Sequence, residues 1–121
     1  MATVSIDQEE LILFDMIPLW SAISLMEPAE ARALIRALAC KDAAHAGGLP
    51  PALERWWRAA VAETRLYAAL CQRVRGTYLH FSAAELARLD EATRASQLRR
   101  TVQRYRVRYG EEPSGPIWES E

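Results

Sequence analysis

The sequence predicts an all-α fold: a compact bundle of four to five helices with a long C-terminal helical pair and a short irregular C-terminal tail. Three observations support this prediction. Alanine is the commonest residue and leucine is frequent, and both enter a helix at little cost in free energy. Apolar residues recur at spacings of three and four along most of the chain. The length of 121 residues is typical of one domain with its own core.

The N-terminal segment opens with Asp7, which is a good helix N-cap because its side chain can accept a backbone N–H. The run over 11–17 is apolar on nearly every side, which predicts a place in the core or in an interface. We favour helix over strand for this run, although its periodicity fits both. Pro18 predicts a break or kink there, followed by a short second piece that ends at Met26.

Pro28 is well placed to open the next helix, because proline at the first helical position loses no hydrogen bond. Its apolar stripe predicts a helix that continues to the glycines Gly47 and Gly48. After a proline-rich loop, the longest clean amphipathic pattern predicts one helix over 51–74. Gly76 is the natural end of that helix, since glycine tolerates the left-handed conformation.

The last helix is predicted to start at a capping box made by Ser82 and Glu85. Apolar residues at spacings of three and four then continue to Tyr109, so one helix of about 26 residues can hold them all. Gly110 ends it. With the helix over 51–74 it would form the long antiparallel pair. We therefore expect a single helical domain over residues 1–110, followed by an acidic, proline- and glutamate-rich tail over 111–121.

Charge is segregated along the chain, although the net charge is only −1. Residues 1–31 carry six acids and no base, and the last eleven residues carry four acids and no base. Residues 88–108 carry seven arginines against two acids. In one interpretation an acidic end lies against this basic helix, in the same chain or in a neighbouring one. In others the basic face is simply solvated, or it binds nucleic acid.

The nucleic-acid interpretation rests on a row of arginines with interleaved aromatic rings. Its residues are Arg94, Arg99, Arg100, Arg104, Arg106, Arg108 and Tyr105. The order of residues over 82–102 loosely resembles a helix-turn-helix, in which two helices are joined by a short turn that often contains glycine. Glu91 stands where that glycine is expected. A continuous helix explains the same residues, so we assign no family.

Residues that could support catalysis or bind a metal are few. Cys40, His45, Cys71 and His80 lack the paired spacings of a zinc site. We expect the cysteines to be buried hydrophobes and His80 to be half-buried. No motif for an activated nucleophile or a phosphate-binding glycine loop is present. We therefore predict that the protein is not an enzyme and needs no cofactor or metal.

The tryptophans suggest contact surfaces. Trp56 and Trp57 point about 100° apart on a helix, so one can be core while the other is half-exposed or lies against a partner. Trp118 docks either on the domain or on a partner. The leading prediction is a non-catalytic protein-binding module that uses these three tryptophans and forms a homodimer: a small adaptor, assembly factor or inhibitor of a larger protein. The alternative is a nucleic-acid-binding regulator. Neither a signal peptide nor a membrane span is predicted, so we expect a cytoplasmic protein.

Overall fold

Five helices form the bundle in residues 27–113 and Trp118, the part of the chain that the computed structural model describes. They are α1 (Pro28–Cys40), α2 (Pro51–Ala62), α3 (Thr64–Arg75), α4 (Ala83–Arg88) and α5 (Glu91–Tyr109), and these described residues contain no strand. Helix α1 packs against α2, α3 and α5, and α2 packs against α3. The predicted all-α bundle is therefore confirmed. None of the described helices is both long and apolar enough to cross a membrane.

The predictions for the N-terminal segment lie outside the described residues. They include the helix that opens at Asp7, the choice between helix and strand over 11–17, and the break at Pro18. Helix α1 begins at Pro28 as predicted, and the Glu30 carboxylate accepts the backbone N–H of Glu27 at 3.0 Å.

Helix α1 ends earlier than the sequence predicted, at Cys40 rather than at the two glycines. The backbone of Lys41 is extended, and its side chain turns inward. Lys41, the one lysine in the sequence, is fully buried. Its ammonium donates to the carbonyl oxygens of Gly47 at 2.6 Å, of Asp42 at 3.3 Å and of His45. The loop over 41–48 therefore folds around this ammonium instead of continuing the helix.

Gly47 and Gly48 dock the loop over 41–48 on α5. The N–H of Gly47 donates to Gln97 Oε1 at 2.8 Å. Gly48 has φ +114°, and a Cβ atom there would lie 2.8 Å from Thr101 Oγ1. Both a left-handed backbone and a close approach thus require glycine at position 48.

The predicted single helix over 51–74 is divided at Glu63, where φ is −91° and ψ is 72°. The division has a physical reason in the core. Trp57 Nε1 donates to Tyr67 Oη at 2.9 Å, and Tyr67 Oη donates to the Leu79 carbonyl at 2.6 Å. In a straight helix, residues ten apart are separated by about 15 Å. The helix must bend back on itself for this buried chain of hydrogen bonds to form.

The predicted single helix over 82–109 is also divided, at Leu89 and Asp90. Leu89 is extended, and the Asp90 carboxylate accepts the Thr93 N–H at 2.8 Å as the N-cap of α5. Ser82 caps α4 as predicted. Gly76 and Gly110 end α3 and α5 in the left-handed conformation, also as predicted. Helix α5 packs most extensively against α1, whereas the sequence suggested the 51–74 segment as its partner.

We predict that Gly48→Ala lowers the free energy of unfolding by about 2–3 kcal/mol, because it adds backbone strain to a clash with Thr101. Gly110→Ala is the matched control: its φ is +70°, but no atom lies within 4 Å of the added Cβ. It should cost only about 1 kcal/mol, the backbone term. Denaturant unfolding measures both variants. Equal losses would contradict the docking of the loop on α5.

We predict that Lys41→Met lowers the free energy of unfolding by about 2–4 kcal/mol at neutral pH, because three carbonyl oxygens lose their donor. Burial, with repulsion from Arg75, lowers the pKa of Lys41 from 10.5 to about 8, against an opposing effect of Asp42. Between these two pH values the unfolded chain binds more protons than the folded one, so wild-type stability rises with pH relative to the variant. Urea unfolding of both proteins from pH 7 to 10 measures the difference between their free energies of unfolding. Because the tyrosines titrate in both proteins, their contribution cancels in this difference. A difference that stays flat or shrinks would contradict the buried ammonium.

Candidate binding surface

The arginines of α5 divide into those that hold the fold together and those that face outward. Arg94 donates to the Leu86 carbonyl at 2.8 Å and to Glu54 at 3.3 Å, so it ties α5 to α4 and α2. Arg99 is exposed and has no ion-pair partner within the described part of the chain. Arg94 is therefore a structural residue, and Arg99 is available for binding.

The acidic tail covers part of the basic helix. Arg106 pairs with Glu112, and this hydrogen bond raises the pKa of Arg106 and lowers that of Glu112. Within the described part of the chain, Glu54 of α2 and Asp42 of the loop also approach arginines of α5. Of the six acids over 1–31, Glu27 and Glu30 lie at the start of α1, where Glu30 accepts from Trp56 of α2, and the other four lie outside the described residues. The interpretation in which an acidic end covers the helix is therefore supported only for the tail. Both members of the Arg106–Glu112 pair are more than half exposed, and such pairs stabilise little.

Three arginines at a spacing of four share one face of α5: Arg100, Arg104 and Arg108. This face meets the C-terminal end of α1 in a groove of about 340 Å³, which we call the α1–α5 groove. Its lining consists of Ala39, Cys40, Arg100, Gln103, Arg104, Val107 and Arg108. Val107 is 84% exposed, so an apolar side chain stands open at the edge of this groove.

Asp42, on the loop around Lys41, lies beside two arginines that line the α1–α5 groove. Its Oδ2 lies 3.9 Å both from Arg100 Nε and from Arg104 Nη1. Its Oδ1 accepts the N–H of Ala44 at 2.9 Å, and this hydrogen bond is the main reason why the pKa of Asp42 lies below its usual range. The charges of His45, Arg104 and Arg100 lower that pKa further.

A second face of α5 adjoins the groove, and we call it the outer face. Its residues are Ala95, Ser96, Leu98, Arg99, Val102 and Arg106, and it shares Arg100 and Gln103 with the groove. Leu98 and Val102 are half-buried, while Arg99 and Arg106 are exposed. The outer face therefore sets guanidinium groups beside an apolar strip.

Tyr105, predicted to lie among the nucleic-acid-binding arginines, is a core residue with 5% of its surface exposed. Its hydroxyl accepts a hydrogen bond from Arg36 Nη1 at 3.2 Å, and its ring contacts those of Tyr109 and Trp118. The ring has no open face on which a nucleic-acid base could stack. Of the predicted nucleic-acid surface, arginines such as Arg99, Arg100 and Arg106 are accessible, whereas the aromatic ring is not.

The tryptophans occupy three different environments. Trp57 is fully buried and offers no surface to a partner. Trp56 is half-buried and donates to Glu30 at 3.0 Å, so the prediction that one of the adjacent tryptophans is core and the other half-exposed is confirmed. Trp118 is half-buried with its ring 5.6 Å from that of Tyr105. Trp118 therefore docks on the domain, which is one of the two alternatives that the sequence predicted for it.

Side chains with catalytic or metal-binding chemistry are scattered. Cys40 and Cys71 are buried thiols, as predicted. His80 is exposed rather than half-buried, because its neighbour Leu79 takes the core position and accepts the Tyr67 hydrogen bond. Among residues 27–113 and Trp118, no group of three or more metal-ligating side chains comes together.

The sequence reasoning missed Asp42, Gln103 and Val107 as parts of a site. The four-residue spacing of Arg100, Arg104 and Arg108 was a readable signal for one shared face, but Asp42 reaches that face through a loop whose path depends on Lys41. Comparison with protein-family models, with curated proteins and with solved structures gives no match, so the proposals below rest on the residues of this chain.

Proposed function

We propose that the protein is a non-catalytic protein-binding module, a small adaptor, assembly factor or inhibitor of a larger protein, and that it binds its partner with the outer face of α5. One observation carries this proposal: the outer face joins the exposed Arg99 and Arg106 to the apolar Leu98 and Val102. The partner that fits is an acidic amphipathic segment, whose carboxylates meet the guanidinium groups while its apolar side chains cover the strip.

Nucleic acid is the second candidate, and the exposed arginines favour it. Phosphate contacts need positive charge and reach, and helix α5 has six arginines against Glu91. An apolar strip contributes nothing to phosphate contacts, and the burial of Tyr105 removes the ring that could stack on bases. The mixed chemistry of the outer face therefore favours a protein over a nucleic acid.

The three tryptophans contribute unequally to the proposal. The core position of Trp57 gives it the role of positioning α2. Trp56 and Trp118 each keep part of their surface exposed, so they are secondary contact candidates at the edge of a partner's footprint.

We also propose that the protein forms a homodimer, because the run over 11–17 of the sequence is apolar on nearly every side, a pattern typical of a core or of an interface. Light scattering at micromolar concentration should then give twice the mass of 13.7 kDa. A wild-type protein that remains monomeric across the micromolar range would contradict the dimer.

Site-specific photo-crosslinking in cells that express the protein tests the binding proposal. A photoreactive residue at Arg99 should crosslink to a protein, and the same residue at Ala69, an exposed position on α3, is the matched control. Adding Val102→Ser should weaken the crosslink at position 99, because a protein partner uses the apolar strip. Crosslinking to nucleic acid, unaffected by Val102→Ser, would establish the second candidate instead. Equal crosslinking from both positions, or none from position 99, would contradict both.

A further inference from the structure

The α1–α5 groove collects positive charge beyond what its acidic neighbour neutralises. Arg100 and Arg104, which line the groove, both approach the one oxygen Oδ2 of Asp42, an acidic side chain that lies beside the groove. Arg75 lies behind them and donates to the Leu38 and Lys41 carbonyls at 2.6 and 3.0 Å. Burial lowers the pKa of Arg75, and repulsion from Arg104 lowers it further.

The guanidinium groups of Arg100 and Arg104 form no hydrogen bond with Asp42. Both distances are 3.9 Å, which is beyond the range of a hydrogen bond. The side chain of Asp42 is instead held by the Ala44 N–H, which keeps the carboxylate at this separation. Arg100 and Arg104 have 51% and 39% of their side chains exposed, so a ligand can reach them from solvent.

The helical spacing places the guanidinium groups in a row. Residues 100, 104 and 108 lie on the same side of α5, and the first and last are about 12 Å apart along the helix axis. A planar guanidinium binds phosphate through two parallel hydrogen bonds, which an ammonium does not offer. The two guanidinium groups carry one positive charge more than Asp42 neutralises, and a phosphate group brings negative charge to this position.

We propose that the α1–α5 groove is a binding site for the phosphate group of a small organic phosphate monoester. The phosphate group lies between Arg100 and Arg104, and the organic part lies along Val107. A groove of about 340 Å³ has the size of a small-ligand site. This site adjoins the outer face of α5, with which it shares Arg100 and Gln103, whereas Arg104 and Val107 line the groove alone. Phosphate binding does not depend on the proposed protein partner.

Asp42 has a distinct role in this proposal, because its carboxylate competes with the phosphate for the two guanidinium groups. Asp42→Asn removes the negative charge but keeps an Oδ1 that can accept the Ala44 N–H. The variant should therefore retain the loop and bind phosphate more tightly than the wild type.

Isothermal titration calorimetry with inorganic phosphate and with phenyl phosphate, at constant ionic strength, tests the site. Arg104→Gln should weaken the binding of both about tenfold, and Asp42→Asn should tighten it severalfold. Arg99→Gln on the outer face is the matched control and should leave both affinities unchanged. Phenyl phosphate should bind more tightly than inorganic phosphate, and Val107→Ser should remove that difference.

Three results would overturn the proposal. One is the lack of saturable binding of either phosphate to the wild-type protein. Another is an equal loss of affinity in Arg99→Gln and Arg104→Gln, which would indicate unspecific attraction by the whole basic helix. The third is an unchanged or weakened affinity in Asp42→Asn. Thermal unfolding of each variant shows that it is folded at the temperature of the titration.

Discussion

The rest of the structure depends on the burial of one ammonium group, that of Lys41. A buried charge costs several kcal/mol unless it is well hydrogen-bonded. Here the carbonyl oxygens of Asp42, His45 and Gly47 accept from it, and the Trp57 ring lies 5.1 Å away. Because three carbonyls of one short loop must converge on the same nitrogen, the path of that loop is fixed. The chain therefore leaves α1 at Cys40 and returns to α5 at Gly47.

This loop links the core to the surface of α5. On the core side, Trp57 beneath the ammonium donates to Tyr67, and burial raises the pKa of Tyr67 so that its hydroxyl remains a donor to Leu79. On the surface side, the loop sets Asp42 opposite Arg100 and Arg104. The α1–α5 groove is thus a consequence of the core: moving the ammonium would move the Asp42 carboxylate that lies beside those arginines.

Local signals predicted much of the fold. Pro28, Gly76 and Gly110 mark helix ends because their backbone preferences act within one or two residues. The breaks at Glu63 and at Asp90 were not predicted, because the apolar spacing continues across both. The bend at Glu63 depends on a hydrogen bond between residues ten apart, and such tertiary contacts leave no periodic signal. The same limit applies to the site: spacing predicted the arginine row, but the contribution of Asp42 depends on a loop shaped by a buried lysine.

The central claim is that the Lys41 ammonium holds the loop on α5, and amide hydrogen exchange at Gly47 tests it most directly. This N–H donates to Gln97, so it should exchange slowly in the wild-type protein. In Lys41→Met it should exchange much faster, while the amides in the middle of α3 keep their protection. Protection of the Gly47 amide that is unchanged in the variant would contradict the account, since the loop would then stay in place without the ammonium.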